Sequence, residues 1–296
     1  MTDSEIASAS ASLIDLALAE DLGPHGDITA QCFVPAGHRS CGRIIARQPL
    51  VVSGVAIAAE VFSRIDPTLS VTVEIEEGSA AEAGETVITV TGPTRGILTG
   101  ERTALNFLQR LCGVATQTRE YVRRATAANP AIRVLDTRKT TPGWRLLEKV
   151  AVLAGGGTNH RIGLYDAAMV KDNHLVAENR ESSLEAGIRA VREQYPETAF
   201  IELEADRIDQ VKAFLSLEGV DVILLDNMSL DQLREAVTLR DQLSPGIQLE
   251  ASGGVTLDTI ADIAATGVDA VSVGALTHSA TAADLALDLE TLAPGE

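Results

Sequence analysis

Two neighbouring cations, Arg138 and Lys139, stand in the stretch DTRKTTPG (136–143), directly after the apolar run IRVL. The chain around them is acidic, with a formal net charge of -18 over 296 residues. Between Arg133 and Lys171, however, seven Lys or Arg residues stand against three acids, which leaves a local excess of +4. Arginine forks match carboxylates and phosphates in bidentate fashion. This basic segment therefore predicts a site for a small anion.

The same segment holds further groups that suit an anion. His160 precedes Arg161 in the glycine-rich loop GGGTNHRIG, and Lys171 follows a later apolar run. A lone histidine more often has a structural role, but the neighbouring Arg161 favours a role in binding. Arg145 and Lys149 lie four residues apart on a predicted helix, so we expect them to form a solvated face.

Carboxylates end two other apolar runs. Glu204 and Asp226 could hold ribose hydroxyls or a hard cation such as Mg²⁺ with its waters. The alternative is a structural salt bridge to Lys171, and both roles can coexist. Glu202 lies on the same strand face as Glu204, two residues earlier. We rank Glu202 lower because it lies farther from the strand end.

Glycine turns follow the last two apolar runs. They are Ser252-Gly253-Gly254 and Val273-Gly274-Ala275. Glycine lets backbone amides approach a phosphate at the positive end of the following helix. Each turn alone could simply require glycine, but the pair favours a phosphate site.

The second half of the chain must position these groups. After Pro130, six apolar runs alternate with stretches of helical spacing, which is typical of parallel strands with crossover helices. No GxGxxG follows a strand, so a dinucleotide-binding sheet is disfavoured and a β/α barrel is predicted. In such barrels the chemistry lies at the carboxyl ends of the strands. The predicted strands are 132–136, 167–172, 199–205, 221–227, 247–254 and 269–275.

The first half mixes helix and strand patterns. Residues 4–21 have helical spacing, with Asp3 or Ser4 as the expected N-cap. A long helical pattern covers 101–128 and ends before Pro130. Predicted strands with glycine punctuation are 43–54, 69–78 and 84–92.

Composition excludes several classes of protein. The acidic charge argues against a nucleic acid partner, which needs an excess of Lys and Arg. Three cysteines are too few and too scattered for a disulfide framework or a zinc site. The first residues lack the basic and apolar regions of a signal peptide, and no apolar run approaches the ~18 residues that span a bilayer. We therefore expect a soluble, cytoplasmic protein.

The cysteines, Trp144 and His278 carry no functional signal. By spacing alone, Arg102 is a surface charge or a partner of Glu101.

Several long motifs resemble quinolinate phosphoribosyltransferase, in order and at that family's spacing from about Glu20 to about Thr277. They are GDIT (26–29), ERTALNFLQRLCGVAT (101–116), DTRKTTPG (136–143), GGGTNHRIGLYD (155–166), KDNH (171–174), ILLDN (223–227) and EASGGV (250–255). The departures affect packing positions, such as Met169 where the family usually has isoleucine and Trp144 where it usually has an aliphatic residue.

The resemblance implies a reaction and a fold. Quinolinate and phosphoribosyl pyrophosphate would give nicotinate mononucleotide, pyrophosphate and CO₂ in de novo NAD biosynthesis, with Mg²⁺ and no organic cofactor. The fold would be an incomplete, open parallel β/α barrel with an N-terminal α/β sandwich domain. We expect the sandwich at 1–115, joined by the C-terminal segment 277–296, and the barrel at 116–276. The family forms homodimers in which one subunit's sandwich covers the partner's barrel.

The resemblance also assigns roles. Arg102 would enter the partner's site to bind quinolinate, whose carboxylates Arg138, His160 and Arg161 would hold. Glu204 and Asp226 would bind the ribose hydroxyls and Mg²⁺. The two glycine turns would bind the 5′-phosphate. The catalytic residues expected are Lys139, Lys171, Glu204 and Asp226. The substrate-binding residues expected are Arg102, Thr137, Arg138, Lys139, His160, Arg161, Lys171, Glu204, Asp226, Ser252, Gly253, Gly254, Val273, Gly274 and Ala275.

Three alternatives stay open at this point. The nearest is a related transferase on the same scaffold, either the protein linked to molybdate transport or an enzyme that uses nicotinate without decarboxylation. The second is a non-catalytic sensor of a phosphate ligand. The third is a barrel decarboxylase acting on a nucleotide. Two basic groups for two carboxylates favour the diacid substrate.

Overall fold

Helices and strands alternate along the chain in the computed structural model, which describes residues 2–171 and 180–293. The helices are α1 (Asp3–Leu22), α2 (Ile28–Phe33), α3 (Val55–Ile65), α4 (Thr94–Ala128), α5 (Arg145–Ala154), α6 (Arg180–Gln194), α7 (Ile208–Phe214), α8 (Leu230–Leu243), α9 (Ile260–Ala264) and α10 (Ala275–His278). The strands are β1 (Arg39–Ala46), β2 (Leu50–Val51), β3 (Ser70–Val73), β4 (Ala80–Ala81), β5 (Thr86–Pro93), β6 (Arg133–Leu135), β7 (Ala168–Val170), β8 (Ile201–Ala205), β9 (Val222–Asp226), β10 (Gln248–Ser252), β11 (Ala270–Ser272) and β12 (Leu285–Thr291).

The chain divides into two units. The first consists of Met1–Arg119, Thr140–Gly156 and Ser279–Glu296. The second consists of Glu120–Lys139 and Gly157–His278. Among the described residues, no helix is long and apolar enough to cross a membrane.

The first unit contains an antiparallel sheet in the order β12-β1-β5-β3. Strand β1 alternates between buried and less buried residues, as expected for a sheet with one face on the core. The last strand, β12, pairs with nearly all of β1, from Ser40 with Thr291 to Ala46 with Leu285. The last strand of the chain thus forms one edge of the sheet that contains the first strand.

Three local expectations for the first unit were wrong. The N-cap of α1 is Thr2, not Asp3 or Ser4, because Thr2 and Glu5 form a reciprocal capping box. Helix α4 begins at Thr94, seven residues before the predicted start, directly after β5. Lys149 on α5 is fully buried rather than solvated.

The second unit contains a parallel sheet in the order β6-β11-β10-β9-β8-β7. All six predicted strands are confirmed. Within the described ranges β6 and β7 are the two edges and do not pair, so the barrel is open, as the resemblance implied. Its core is aliphatic, with Leu203, Ile223, Leu225 and Val271 buried, and each such side chain contributes roughly 1.5–3 kcal/mol on burial.

Candidate active site

A cavity of about 210 Å³ lies in the second unit, at the carboxyl ends of the parallel strands. It is lined by nine of the residues predicted from the sequence, which are Thr137, Arg138, Lys139, His160, Arg161, Lys171, Glu204, Asp226 and Ser252. This position is where barrel enzymes carry their chemistry. The fold therefore brings most of the predicted site together.

Two guanidinium groups supply the cationic side of the cavity. Arg161 is buried, and it donates to the carbonyl oxygen of Ala167 at 3.2 Å and contacts the sulfur of Met169 at 3.3 Å. Nε of Arg138 is buried and has no hydrogen-bond partner in the described part of the chain. Burial, and next the charge of Arg138, lower the pKa of Arg161. Like charges held together with donor groups unused make a site prepared for an anion.

The two lysines are held differently. Lys171 forms an ion pair with Glu204. The Lys139 backbone is fixed at both ends of the residue, since its N–H donates to Oγ1 of Thr137 at 3.1 Å and its carbonyl accepts from Oγ1 of Thr277 at 2.9 Å. A Cβ at Gly274 would lie 2.9 Å from Cδ of Lys139, so glycine leaves room for that side chain.

Glu204 and Asp226 come from the carboxyl ends of the paired strands β8 and β9. The carboxylate of Asp226 accepts from the side-chain amide of Asn227 at 2.9 Å. Two carboxylates at neighbouring strand ends are hard oxygen donors of the kind that Mg²⁺ prefers. The ion pair of Lys171 with Glu204 shows that the structural alternative also holds.

His160 lies between two buried carboxylates. Its Nε2 is 3.2 Å from Glu202 and 3.3 Å from Glu250. Burial opposes a charged ring, but the two carboxylates outweigh it and raise the pKa of His160 to about 10. Burial, with help from the charge of Glu250, raises the pKa of Glu202 to about 7. At neutral pH the His160 ring is therefore cationic and offsets the charge of the neighbouring carboxylates.

The glycine turns lie at the ends of β10 and β11. Ser252 lines the cavity, whereas the other predicted turn residues are not part of its lining, namely Gly253, Gly254, Val273, Gly274 and Ala275. Gly253 has a φ of +94°, and a Cβ there would lie 2.2 Å from Oδ1 of Asn227. That position therefore requires glycine.

Arg102 belongs to the first unit and does not line this cavity. It is exposed on α4 and lines a separate cleft of about 250 Å³ with Glu20 and Asp21. We find no ion pair of Arg102 among the residues that the structure describes. The other predicted rim residues of the KDNH motif, Asp172, Asn173 and His174, lie outside the described residues.

Sequence reasoning missed three residues near the site. Asp136 is buried and accepts the backbone N–H of His160 at 2.8 Å. Glu250 lines the cavity, and its place two residues before Ser252 on one strand face could have indicated it. His278 lies beside Gly274, four residues later in α10, since a Cβ at Gly274 would be 3.1 Å from its Nε2.

The chain matches two family models. One is described as the C-terminal domain of quinolinate phosphoribosyl transferase and matches residues 114–288. The other is the N-terminal domain of the same family and matches residues 27–112. Together the two models match most of the chain.

Similar proteins match this chain over most of their length. The chain is 43% identical to a carboxylating nicotinate-nucleotide pyrophosphorylase of Mycobacterium leprae, over 92% of this chain and 94% of that protein. It is 38% identical to a decarboxylating quinolinate phosphoribosyltransferase of Nicotiana glauca, over 94% of this chain and 82% of the other. Among solved structures, the nicotinate-nucleotide pyrophosphorylase of Francisella tularensis superposes with a TM-score of 0.87 at 34% identity, covering 96% of each chain.

Proposed function

We propose, because the chain belongs to the quinolinate phosphoribosyltransferase family, that it joins quinolinate to the phosphoribosyl group of phosphoribosyl pyrophosphate and releases CO₂. The products are nicotinate mononucleotide and pyrophosphate, as in de novo NAD synthesis. The observation that carries this proposal within the molecule is the pair of guanidiniums in one cavity, Arg138 and Arg161, where Nε of Arg138 has no hydrogen-bond partner in the described part of the chain. The cytoplasmic location expected from the sequence stays part of the proposal.

Arg138 and Arg161 bind the two carboxylates of the substrate. A diacid supplies the two negative charges that this part of the cavity lacks. A monoacid would leave one buried guanidinium without a counter-charge, which is costly. The site therefore favours quinolinate over nicotinate.

The transfer step depends on position and charge. The ring nitrogen of quinolinate attacks the anomeric carbon, and the bond to pyrophosphate breaks with its electron pair on the leaving oxygen. Lys139 and Lys171 stabilise the negative charge that develops there. Glu204 and Asp226 hold the ribose hydroxyls and would hold Mg²⁺ with its waters, and this ion supplies further neutralisation of the pyrophosphate. The glycine turns after β10 and β11 receive the 5′-phosphate.

Decarboxylation follows from the charge of the ring. After transfer, the nitrogen is cationic. The bond to the adjacent carboxylate breaks with its electron pair on the ring carbon, where the cationic nitrogen stabilises it. CO₂ leaves, and a proton from the solvent takes its place. The protein's part is to bind and orient the ring, so no general base is required for this sequence.

A substrate assay separates this function from its alternatives. Purified protein is incubated with phosphoribosyl pyrophosphate, Mg²⁺ and either quinolinate or nicotinate, while pyrophosphate and CO₂ are measured. We expect both products with quinolinate and little turnover with nicotinate. Turnover of nicotinate alone, binding without pyrophosphate release, or CO₂ release without the phosphoribosyl donor would each identify one of the alternatives instead.

Single-turnover rates distinguish the roles of the lysines. Lys139→Ala and Lys171→Ala should each slow the transfer step, because each removes a cation beside the leaving group. Wild-type rates in both variants would contradict a catalytic role for either lysine.

We include in this proposal a homodimer in which Arg102 completes the partner's site. Its support is that Arg102 is exposed and carries no ion pair in the described part of the chain. Mixing Arg102→Ala chains with Lys171→Ala chains should restore part of the activity, since each mixed dimer would hold one intact site. The absence of recovery in confirmed mixed dimers would show that Arg102 does not act across the interface.

A further inference from the structure

Asn227 follows Asp226 in the motif ILLDN, and the proposed chemistry gives it no role. It has a φ of +54°, and within the described ranges it is the only residue other than glycine with a positive φ. Asparagine is one of the few residue types that adopt this left-handed conformation, because its short polar side chain can form local hydrogen bonds. The backbone and the side chain of Asn227 each have a separate contact at the strand ends.

The backbone of Asn227 joins two neighbouring strand ends. Its N–H donates to the carbonyl oxygen of Ser252 at 2.9 Å. This hydrogen bond comes directly after the pair of Asp226 with Ser252, which is the last pair between β9 and β10. Under the proposed function β9 ends in a carboxylate for the ribose and β10 ends in a turn for the 5′-phosphate. The hydrogen bond therefore fixes the spacing between these two parts of the site.

The side chain of Asn227 holds the carboxylate of Asp226. Its Nδ2 donates to Oδ2 of Asp226 at 2.9 Å. An amide that donates to an ionised carboxylate forms a charge-assisted hydrogen bond, which restricts rotation of the carboxylate. Because one oxygen is oriented, the other is oriented with it, and under the proposed function this carboxylate binds a ribose hydroxyl or hydrated Mg²⁺.

The same side chain packs against the first glycine turn. A Cβ at Gly253 would lie 2.2 Å from Oδ1 and 2.5 Å from Cγ of Asn227, so the amide occupies the space that a side chain at position 253 would need. Gly253 and Gly254 both have a positive φ, +94° and +60°. No group among the described residues accepts the backbone N–H of either glycine. Successive N–H groups in such a turn are donors for an anion.

We propose that Asn227 is a positioning residue for phosphoribosyl pyrophosphate. Its amide orients the carboxylate of Asp226, and its backbone sets the distance from that carboxylate to the turn at 252–254. The inference rests on the proposed function and concerns the phosphoribosyl donor only. Asn227 is exposed and is not part of the lining of the cavity, so it acts through Asp226 and the turn.

The test uses two replacements of Asn227. Asn227→Gly keeps the left-handed backbone and its hydrogen bond to Ser252 but removes the amide. Asn227→Asp keeps the shape but replaces the donor with a second carboxylate beside Asp226. In both variants we expect the Kd for phosphoribosyl pyrophosphate with Mg²⁺, measured by calorimetry, and its KM to rise about five- to tenfold, equivalent to one lost hydrogen bond to a charged group. The values for quinolinate should stay near those of the wild type.

A double-mutant cycle shows whether Asn227 acts through Asp226. Asp226→Ala should weaken the binding of phosphoribosyl pyrophosphate by itself. Adding Asn227→Gly to that variant should then have clearly less effect than it has in the wild-type protein, because the carboxylate that the amide orients is already gone. Full additivity of the two changes would show that Asn227 acts independently of Asp226 and would overturn the inference.

Asn129→Gly is the matched control. The amide of Asn129 donates to the carbonyl oxygen of Ala264 at 3.3 Å and accepts the backbone N–H of Ala131 at 3.1 Å, between α4 and the amino end of β6. Its loss should lower the melting temperature and leave the affinity for both substrates unchanged. A change in affinity for phosphoribosyl pyrophosphate as large as that in Asn227→Gly would show that any lost asparagine contact loosens the site, and the inference would fall.

Titrations without turnover separate this inference from the proposed function. If the wild-type protein and both Asn227 variants bind phosphoribosyl pyrophosphate equally well, the inference alone is wrong. If the wild-type protein binds this donor but releases no pyrophosphate with quinolinate, the proposed function is wrong, and the affinities of the variants still decide the inference. A wild-type protein that binds no phosphoribosyl pyrophosphate would contradict both.

Discussion

The two ends of the parallel sheet use the same residue type in opposite ways. At the amino ends of the strands, arginines are paired. Arg240 contacts Asp269 at 2.5 Å, Arg192 contacts Asp221 at 2.5 Å, and Arg133 donates to Gln248 at 2.6 Å. At the carboxyl ends, Arg138 keeps a buried Nε without a partner and Arg161 has only neutral contacts in the described structure.

The acids at the amino ends have a second structural task. Oδ2 of Asp269 also accepts the backbone N–H of Leu249, and Oδ2 of Asp221 accepts that of Ile201. Each carboxylate thus joins an arginine to the start of the neighbouring strand. A paired arginine therefore stabilises this sheet, whereas under the proposed function an arginine without a carboxylate partner is available to bind the substrate. Substitutions at the two ends should separate these effects.

The largest effect is expected on activity at the carboxyl end. Arg161→Met keeps an unbranched buried side chain but removes the charge that, under the proposed function, binds a carboxylate of the substrate. We expect kcat/KM for quinolinate to fall roughly 10²–10³-fold, the equivalent of one to two charge-assisted hydrogen bonds. Steady-state kinetics with varied quinolinate measure it, and a fall below tenfold would mean that another group binds that carboxylate.

A second substitution at the carboxyl end should lower activity without lowering the melting temperature of the protein. Arg138→Met relieves the like-charge contact that, after burial, lowers the pKa of Arg161. We expect unchanged or slightly higher stability together with a large loss of quinolinate turnover. Thermal unfolding checks this, and a clear loss of stability would show that Arg138 serves the fold as well.

An intermediate effect is expected at the amino end. Arg240→Ala leaves Asp269 without its charged partner in a partly buried place, with side chains 10% and 35% exposed. The free energy of unfolding should fall by about 1–3 kcal/mol, or roughly 2–4 °C in Tm per kcal/mol for a chain of this size. Turnover by the folded protein should not change. A loss of activity in the folded variant would show that the arginines at the amino ends also affect the site.

The smallest effect is expected for Arg192→Ala. Its ion pair with Asp221 is about two-fifths exposed on both sides, and such pairs contribute about 0–1 kcal/mol. Denaturant unfolding with Arg240→Ala as the reference resolves the difference. A loss as large as that of Arg240→Ala would show that exposure does not decide the strength of these pairs.

Much of the barrel and its rim could be predicted from local patterns. Apolar runs of strand length, each ending in a polar or glycine set, predicted all six strands of the parallel sheet. Because parallel strands place their carboxyl ends at one edge, Arg138 and Glu204 could be assigned to one cavity although they follow different strands of the sheet. The six-strand order and the missing closure between β6 and β7 could not be predicted from periodicity.

Other features were beyond sequence reasoning for a physical reason. Lys149 was expected in solvent, because helical spacing shows which residues share a face but not what covers that face. The contacts of His160 with Glu202 and Glu250 join residues 42 and 90 positions apart in the chain, so no local pattern contains them. Arg102 was recovered only through the family resemblance, and its role across an interface stays a prediction.

The amino-acid sequence by itself determined the family, the succession of strands and helices and the residue types at each strand end. These depend on patterns of two to four residues and on motifs that stay contiguous. Only the tertiary structure decided which charges are paired and which stay available. Pairing depends on distance and burial across neighbouring strands. The arginines at the two ends of the sheet look alike until the fold brings Asp269 to Arg240 and, within the described residues, brings no carboxylate to Arg138.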